Sequence, residues 1–155
     1  MERIASFCVN HLTLMPGLYV SRRDAVGNEC VTTFDVRLKA PNREPVLDPA
    51  AMHTIEHLGA TFMRNHPLWG KHIIYWGGMC CLTGFYLLVG GERNSHDVFE
   101  LVRETFEFIA NYEGEIPGAT PRECGNYSYQ NLELAKVEAK RYLIELRNVK
   151  TEYPE

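Results

Sequence analysis

Long apolar runs are missing from this sequence: no segment approaches the roughly 20 residues that a membrane-spanning helix requires. Basic runs are missing too. No Lys/Arg stretch exceeds two or three residues and the formal net charge is -4, which sets nucleic acid and anionic membrane surfaces aside as partners. The opening MERIASFCVNH has neither the basic start nor the long apolar core of an export signal, so a cytoplasmic protein is expected. Cysteines are few and odd in number: Cys8, Cys30, Cys80, Cys81 and Cys124. That favours reduced thiols, some of them ligands or reactive groups, over a disulfide frame. Internal repeats, linkers and low-complexity segments are also absent. What remains is a chain of 155 residues, 45% hydrophobic and 23% charged, which is ordinary globular composition and the length of one domain, 1–155.

Met1 to Pro16 reads as an extended or irregular arm that carries Ser6 and His11. Gly17 to Ser21 reads as a short strand. Glu29 to Ala40 is β-branched and alternates Val31, Thr33, Asp35 and Arg37 against Thr32, Phe34, Val36 and Leu38, a strand with one polar and one apolar face. On that polar face Arg37 is expected as a solvated charge. His72 to Trp76 and Leu82 to Val89 read as two further strands, joined by Gly77-Gly78-Met79-Cys80-Cys81. Amphipathic helices are expected over Ser95–Tyr112 and Asn131–Arg147, with a loop at Asn111–Asn126 between them. Helices interspersed with strands predict an α+β fold, an antiparallel sheet of about four strands packed against helices as a two-layer sandwich.

The densest cluster of ligand and acid/base side chains is Asp48 to His66, DPAAMHTIEHLGATFMRNH. Asp48 can cap a helix, and Pro49 suits its first position because that N–H would be unsatisfied anyway. His53 and His57 are then four apart, so both imidazoles leave one helix face and can grip one ion. Glu56 sits beside them but points slightly round the helix, which suits proton transfer better than ligation. Met52, Ile55, Leu58 and Phe62 form the apolar stripe that seats the helix.

A closed structural zinc site would want close C-x₂₋₄-C pairs, and this chain has none. Two histidines and one distant thiolate leave a position open for water or substrate, the catalytic pattern. Cys124, in the turn Glu123-Cys124-Gly125, is the best third ligand, with His66, His72 and His96 as alternatives. His-x-x-Glu-His is also the pattern of inverzincin metallopeptidases, whose third ligand is a downstream glutamate such as Glu133. Those proteases are several times longer and built from repeated domains, and Glu133 is more simply an acid in a helix's first turn.

Taken together, Ser6-Phe7, His11, Phe34-Asp35-Val36-Arg37, Ala40-Pro41-Asn42, His53-Thr54-Ile55-Glu56-His57-Leu58, Arg64-Asn65-His66, Met79 to Tyr86 and Glu123-Cys124-Gly125 resemble the LuxS family of S-ribosylhomocysteine lyases. The resemblance runs in order over nearly the whole chain. It implies one divalent metal on His53, His57 and Cys124, ferrous in cells, with zinc or cobalt able to replace it. It also implies Glu56 and Cys81 as acid/base groups, with Ser6, His11, Arg37 and Arg64 around the substrate. The resemblance further implies a homodimer with active sites at the subunit interface. The family's reaction moves a carbonyl along the open-chain sugar and then expels homocysteine by β-elimination. The other product is 4,5-dihydroxy-2,3-pentanedione, the precursor of the quorum-sensing signal autoinducer-2; through homocysteine the resemblance also implies a place in the activated methyl cycle. A non-catalytic homologue, or one acting on another thioether sugar, is the alternative; retention of both Glu56 and Cys81 speaks against lost catalysis, since neither is needed to hold an ion.

One loop departs from the family. Where its members typically carry Asp-Ile-Ser-Pro-Met-Gly-Cys, this chain has Tyr75-Trp76-Gly77-Gly78-Met79-Cys80-Cys81. An aromatic thus replaces an acid used around the substrate's amino-acid end, and Cys80 replaces a glycine.

Overall fold

A computed structural model describes residues 2–155; Met1, the first residue of the expected arm, lies outside them. The arm is irregular apart from a 3-10 turn at Ala5–Phe7. Strands β1 (Gly17–Val26) and β2 (Glu29–Arg37) form a hairpin, and helix α1 (Pro49–Asn65) follows. Next come β3 (Ile73–Gly78), β4 (Gly84–Gly90), α2 (Ser95–Ala110) and α3 (Leu132–Glu145). The sheet has four strands in the order β1-β2-β4-β3, every neighbouring pair antiparallel. With three helices packed against it, the molecule is the expected α+β sandwich.

β1 is twice the expected length. Its second half, Arg22-Arg23-Asp24, is exposed and polar, so no apolar periodicity marks it. Backbone pairing with β2 carries it to Val26, through a register shift between Val20 and Arg22. β3 likewise takes in Gly77 and Gly78, expected in the connection, because they pair with Tyr86 and Phe85 of β4.

α1 starts as its cap predicts: Asp48 accepts from the Ala51 N–H at 2.9 Å and Pro49 opens the first turn. Met52, Ile55 and Leu58 are buried in the core as expected. Phe62 is not. It is half-buried and packs on Phe108 with ring centroids 5.0 Å apart, while Met63 fills the core position. The helix comes close to β3 at Gly59, where a Cβ would stand 2.5 Å from the Trp76 indole nitrogen. That contact lets Trp76 lie flat on Phe85, centroids 4.7 Å apart, beneath α1. The approach fixes the helix against the sheet and holds its ligand-bearing face at the edge of the core.

The outer face of β2 is not solvated. Thr33, Asp35 and Arg37 are all buried. Tyr153 from the C-terminal tail donates to Asp35 Oδ2 at 3.1 Å and stacks on Tyr19 at 4.7 Å. The expectation of a solvated Arg37 is therefore corrected: its charge is neutralised inside the protein by Asp35, on the same strand face.

Candidate metal centre

One turn of α1 brings the His53 and His57 Nε2 atoms to 3.0 Å of each other. The loop after α2 delivers Cys124, whose Sγ lies 3.4 Å from His53 Nε2. All three donor atoms fall within 4.8 Å of one another. Backbone carbonyls orient both rings. Tyr129 O is 2.7 Å from His53 Nδ1 and Pro117 O is 2.7 Å from His57 Nδ1. A carbonyl can only accept, so each Nδ1 carries the proton and each Nε2 presents a lone pair to the shared space. Two lone pairs and a sulfur so aimed repel unless a cation lies among them. Zinc with bonds of about 2.0–2.3 Å would set N···N near ~3.3 Å and N···S near ~3.6 Å, close to the two spacings made by His53. The donor set fits one metal ion.

The loop is docked for this purpose. Thr54 Oγ1 donates to Gln130 Oε1 at 2.7 Å and accepts from the Asn131 N–H at 2.9 Å. Gly118, at φ 72°, turns the backbone so that a Cβ there would be only 3.3 Å from His57 Nδ1. The Cys124 N–H closes its own turn on Thr120 O at 3.0 Å. Among the described residues His66, His72, His96 and Glu133 do not join the cluster. His66 pairs with Glu104 at 3.1 Å, and Glu133 is exposed in the first turn of α3. The glutamate ligand that a peptidase reading needs is thus not at the site.

Glu56 is half-buried between two hollows. One, of about 280 Å³, is lined by His53, Glu56, Tyr75, Met79 and Cys80 among others. The second, of about 310 Å³, lies against His57, Pro117 and Gly118. A third hollow, of about 280 Å³ on the sheet's outer face, is lined by Ser6, Ser21, Arg22, Thr33, Tyr75 and Tyr86. Tyr75 borders both the metal cleft and this outer hollow.

Cys81 is exposed at the turn before β4, with Sγ 3.0 Å from Thr83 Oγ1 and 3.9 Å from Arg37 Nη1. Arg37 is held by Asp35. Burial pushes the Asp35 carboxyl above its ordinary range and Arg37 draws it part of the way back. Burial also works against the guanidinium's charge, but Asp35 outweighs it and holds that charge more firmly than usual. His11 is half-buried, its Nδ1 2.8 Å from Val9 O. Arg64 reaches the carbonyls of Ile73 and Ile74 at 3.3 and 2.8 Å, tying the end of α1 to β3. One chain therefore gathers the three donors and Glu56, sets Cys81 with Arg37, and keeps Ser6 in the outer hollow. Asp35, missed as a functional partner, was legible: two residues before Arg37 on one strand, it shares its face. The Tyr129 and Pro117 carbonyls have no residue signature at all.

An α+β sandwich presenting two imidazoles and a thiolate with an open position, and a carboxylate alongside, is the build of a metal-dependent enzyme. A model of the S-Ribosylhomocysteinase (LuxS) family matches residues 4–153. The chain is 56% identical to the S-ribosylhomocysteine lyase of Phocaeicola vulgatus, over 94% of this chain and 91% of that one. It is 55% identical to that of Finegoldia magna over the whole of both chains, and 55% identical to that of Porphyromonas gingivalis over 98% and 96%. The chain belongs to the S-ribosylhomocysteinase (LuxS) family.

Proposed function

We propose that this protein cleaves the thioether of S-ribosylhomocysteine to homocysteine and 4,5-dihydroxy-2,3-pentanedione, as a carbon–sulfur lyase. The observation that carries the reading is Glu56 beside three converging donors, in a chain whose relatives are lyases of that name. A divalent ion on His53, His57 and Cys124 supplies Lewis acidity toward the sugar's carbonyl oxygen. We take it as Fe2+, with Zn2+ or Co2+ able to replace it, since two imidazole nitrogens and one thiolate sulfur suit all three.

The remaining chemistry falls to this chain's side chains. A thioether leaves poorly unless negative charge forms on the carbon beside the one that bears it. Moving the carbonyl towards that carbon requires proton transfer on carbon and oxygen at each step. Glu56, in the cleft with His53, takes and returns those protons. Cys81 serves as the second acid/base group, and Arg37 stands at 3.9 Å as its charge partner. Ser6, His11 and Arg64 we assign to the substrate, with Ser6 in the outer hollow.

A homodimer with active sites at the subunit interface completes the reading. Its support is the exposed apolar arm, with Ile4 at 54%, Phe7 at 70% and Leu12 at 71%. We place the protein in the cytoplasm, where its five free thiols stay reduced; no helix among the described residues is long and apolar enough to cross a membrane. A single hydrophobic cluster supports one domain over 1–155. Release of free thiol from S-ribosylhomocysteine by the metal-loaded protein is the test. A fully metallated protein that releases none would overturn the reading.

A further inference from the structure

Cys80 and Cys81 occupy the two central positions of a tight turn, closed by the Leu82 N–H donating to Met79 O at 2.9 Å. Both are exposed and both thiols are free. They face different neighbours: Cys80 lines the cleft with His53 and Glu56, and Cys81 lies against Thr83 and Arg37. The turn is anchored at both ends, by the Met79 N–H on Gly84 O at 2.9 Å and the Leu47 N–H on Leu82 O at 2.8 Å. Among the described residues, the peptide between the two cysteines makes no backbone hydrogen bond, so it can reorient without breaking the anchors.

We infer that Cys80-Cys81 is a modification site for hydroperoxides, at which Cys80 converts oxidised Cys81 into a reversible disulfide between neighbours. The Cys81 thiolate attacks one peroxide oxygen, the O–O bond breaks, and the other oxygen leaves as an alcohol or water after taking a proton. Cys81 is then a sulfenic acid, oxidised by two electrons as the peroxide is reduced. Cys80 Sγ attacks that sulfur, the S–S bond forms, the S–O bond breaks, and hydroxide leaves with the Cys80 proton as water. Two thiols and one peroxide thus give one disulfide, one alcohol and one water.

Geometry makes the product labile. Consecutive Cα atoms are about 3.8 Å apart, short of the ~4.4–6.8 Å usual for disulfides. The small ring is strained, and strained, exposed disulfides are readily reduced. Ring closure also diverts Cys81 from sulfinic acid, which thiols do not reverse. The effect on turnover rests on the role proposed for Cys81; formation of the ring does not.

The test treats zinc-loaded protein with hydrogen peroxide, alkylates it and digests it with trypsin, while following metal content to separate damage at Cys124. The peptide His72–Arg93 holds both cysteines and no other. In the wild type it should resist alkylation and be lighter by two hydrogens than its reduced form. Turnover should fall by about a hundredfold or more in the oxidised fraction and return with dithiothreitol. In Cys80→Ala, peroxide enough to close the ring in the wild type should leave two or three oxygens on Cys81 of the same peptide, and dithiothreitol should not restore that fraction. Oxygens on Cys81 with Cys80 still alkylatable in the wild type would overturn the inference. So would a Cys80→Ala protein that recovers as fully as the wild type. A ring that forms while turnover continues leaves the site standing and removes Cys81 from the proposed reaction instead.

Discussion

Arg37 and Asp35 form a two-point ion pair inside the protein: Nε donates to Oδ1 at 3.0 Å and Nη2 to Oδ2 at 2.6 Å, with side chains 4% and 3% exposed. The pair holds the guanidinium flat, so that its remaining nitrogen, Nη1, points at Thr83 and Cys81. Tyr153 and Tyr19 close over it. Breaking one side strands a buried charge, which typically costs about 3–5 kcal/mol. Arg37→Leu should therefore lower the urea-unfolding free energy by that order. A loss below about 1 kcal/mol, the scale of exposed pairs, would mean that water reaches Asp35.

The metal centre gives the second prediction. Cys124→Ala should leave the fold intact, because Cys124 lies in a loop outside the hydrophobic core, yet should lose most of the metal. Elemental analysis should find one ion per wild-type chain and far less in the variant. Full occupancy in Cys124→Ala would make another residue the third donor.

Glu56→Gln separates holding the ion from moving protons. The amide keeps the size of the side chain but cannot take a proton, so metal content should stay whole while turnover falls by about 10²–10⁴-fold. Cys81→Ala should behave likewise and stall the carbonyl's migration. Near-normal rates in Cys81→Ala would hand its role to Cys80 or to a water.

Buried tyrosines set the alkaline limit. Burial, helped by the charge of Asp35, pushes the Tyr19 hydroxyl up to about 12. Tyr142 and Tyr153 shift the same way, again chiefly through burial. Each group stays protonated when folded but ionises near pH ~10 when unfolded. Their stabilisation is complete below that pH and is lost as pH rises through the folded values. Urea midpoints should hold up to about pH 9 and fall steadily above about pH 10, with a shallower fall in Tyr19→Phe. A flat profile to about pH 12 would contradict the burial of these hydroxyls.

How far the sequence could be read depended on which force holds each part. α1 was plain from Asp48, Pro49 and the His53–His57 spacing, because capping and ligation act within one helical turn. The outer half of β1 was not, since only its pairing with β2 keeps Arg22 to Val26 extended. Gly77 and Gly78 read as a bend yet lie in a strand, because β4 supplies their partners. Arg37 looked solvated because its cover, Tyr153, comes from the far end of the chain. At the site, the ligating side chains have sequence signatures. The carbonyls that aim them belong to Pro117 and Tyr129, where any residue would offer the same oxygen.

Tyr75 gives the last prediction. It is 49% exposed, in β3, and borders both the metal cleft and the outer hollow that holds Ser6. The family resemblance implies an acid at this position, set against the substrate's amino-acid end. In this chain the outer hollow is lined by Arg22 and by hydroxyl-bearing and apolar side chains, with no carboxylate. Losing a charge-assisted contact to the substrate ammonium costs about 1.5–3 kcal/mol, or roughly ten- to a hundredfold in affinity. A cation–π contact with the Tyr75 ring offsets about 0.5–2 kcal/mol of that. KM for S-ribosylhomocysteine should therefore exceed that of relatives with the acid, while kcat changes less, because the three donors and Glu56 are in place. Tyr75→Asp should lower KM by up to about tenfold and leave kcat within a few-fold. Steady-state kinetics on the metal-loaded variant decides it. A KM that stays put or rises would mean that the amino-acid end binds away from β3, or that the natural substrate is a different thioether sugar.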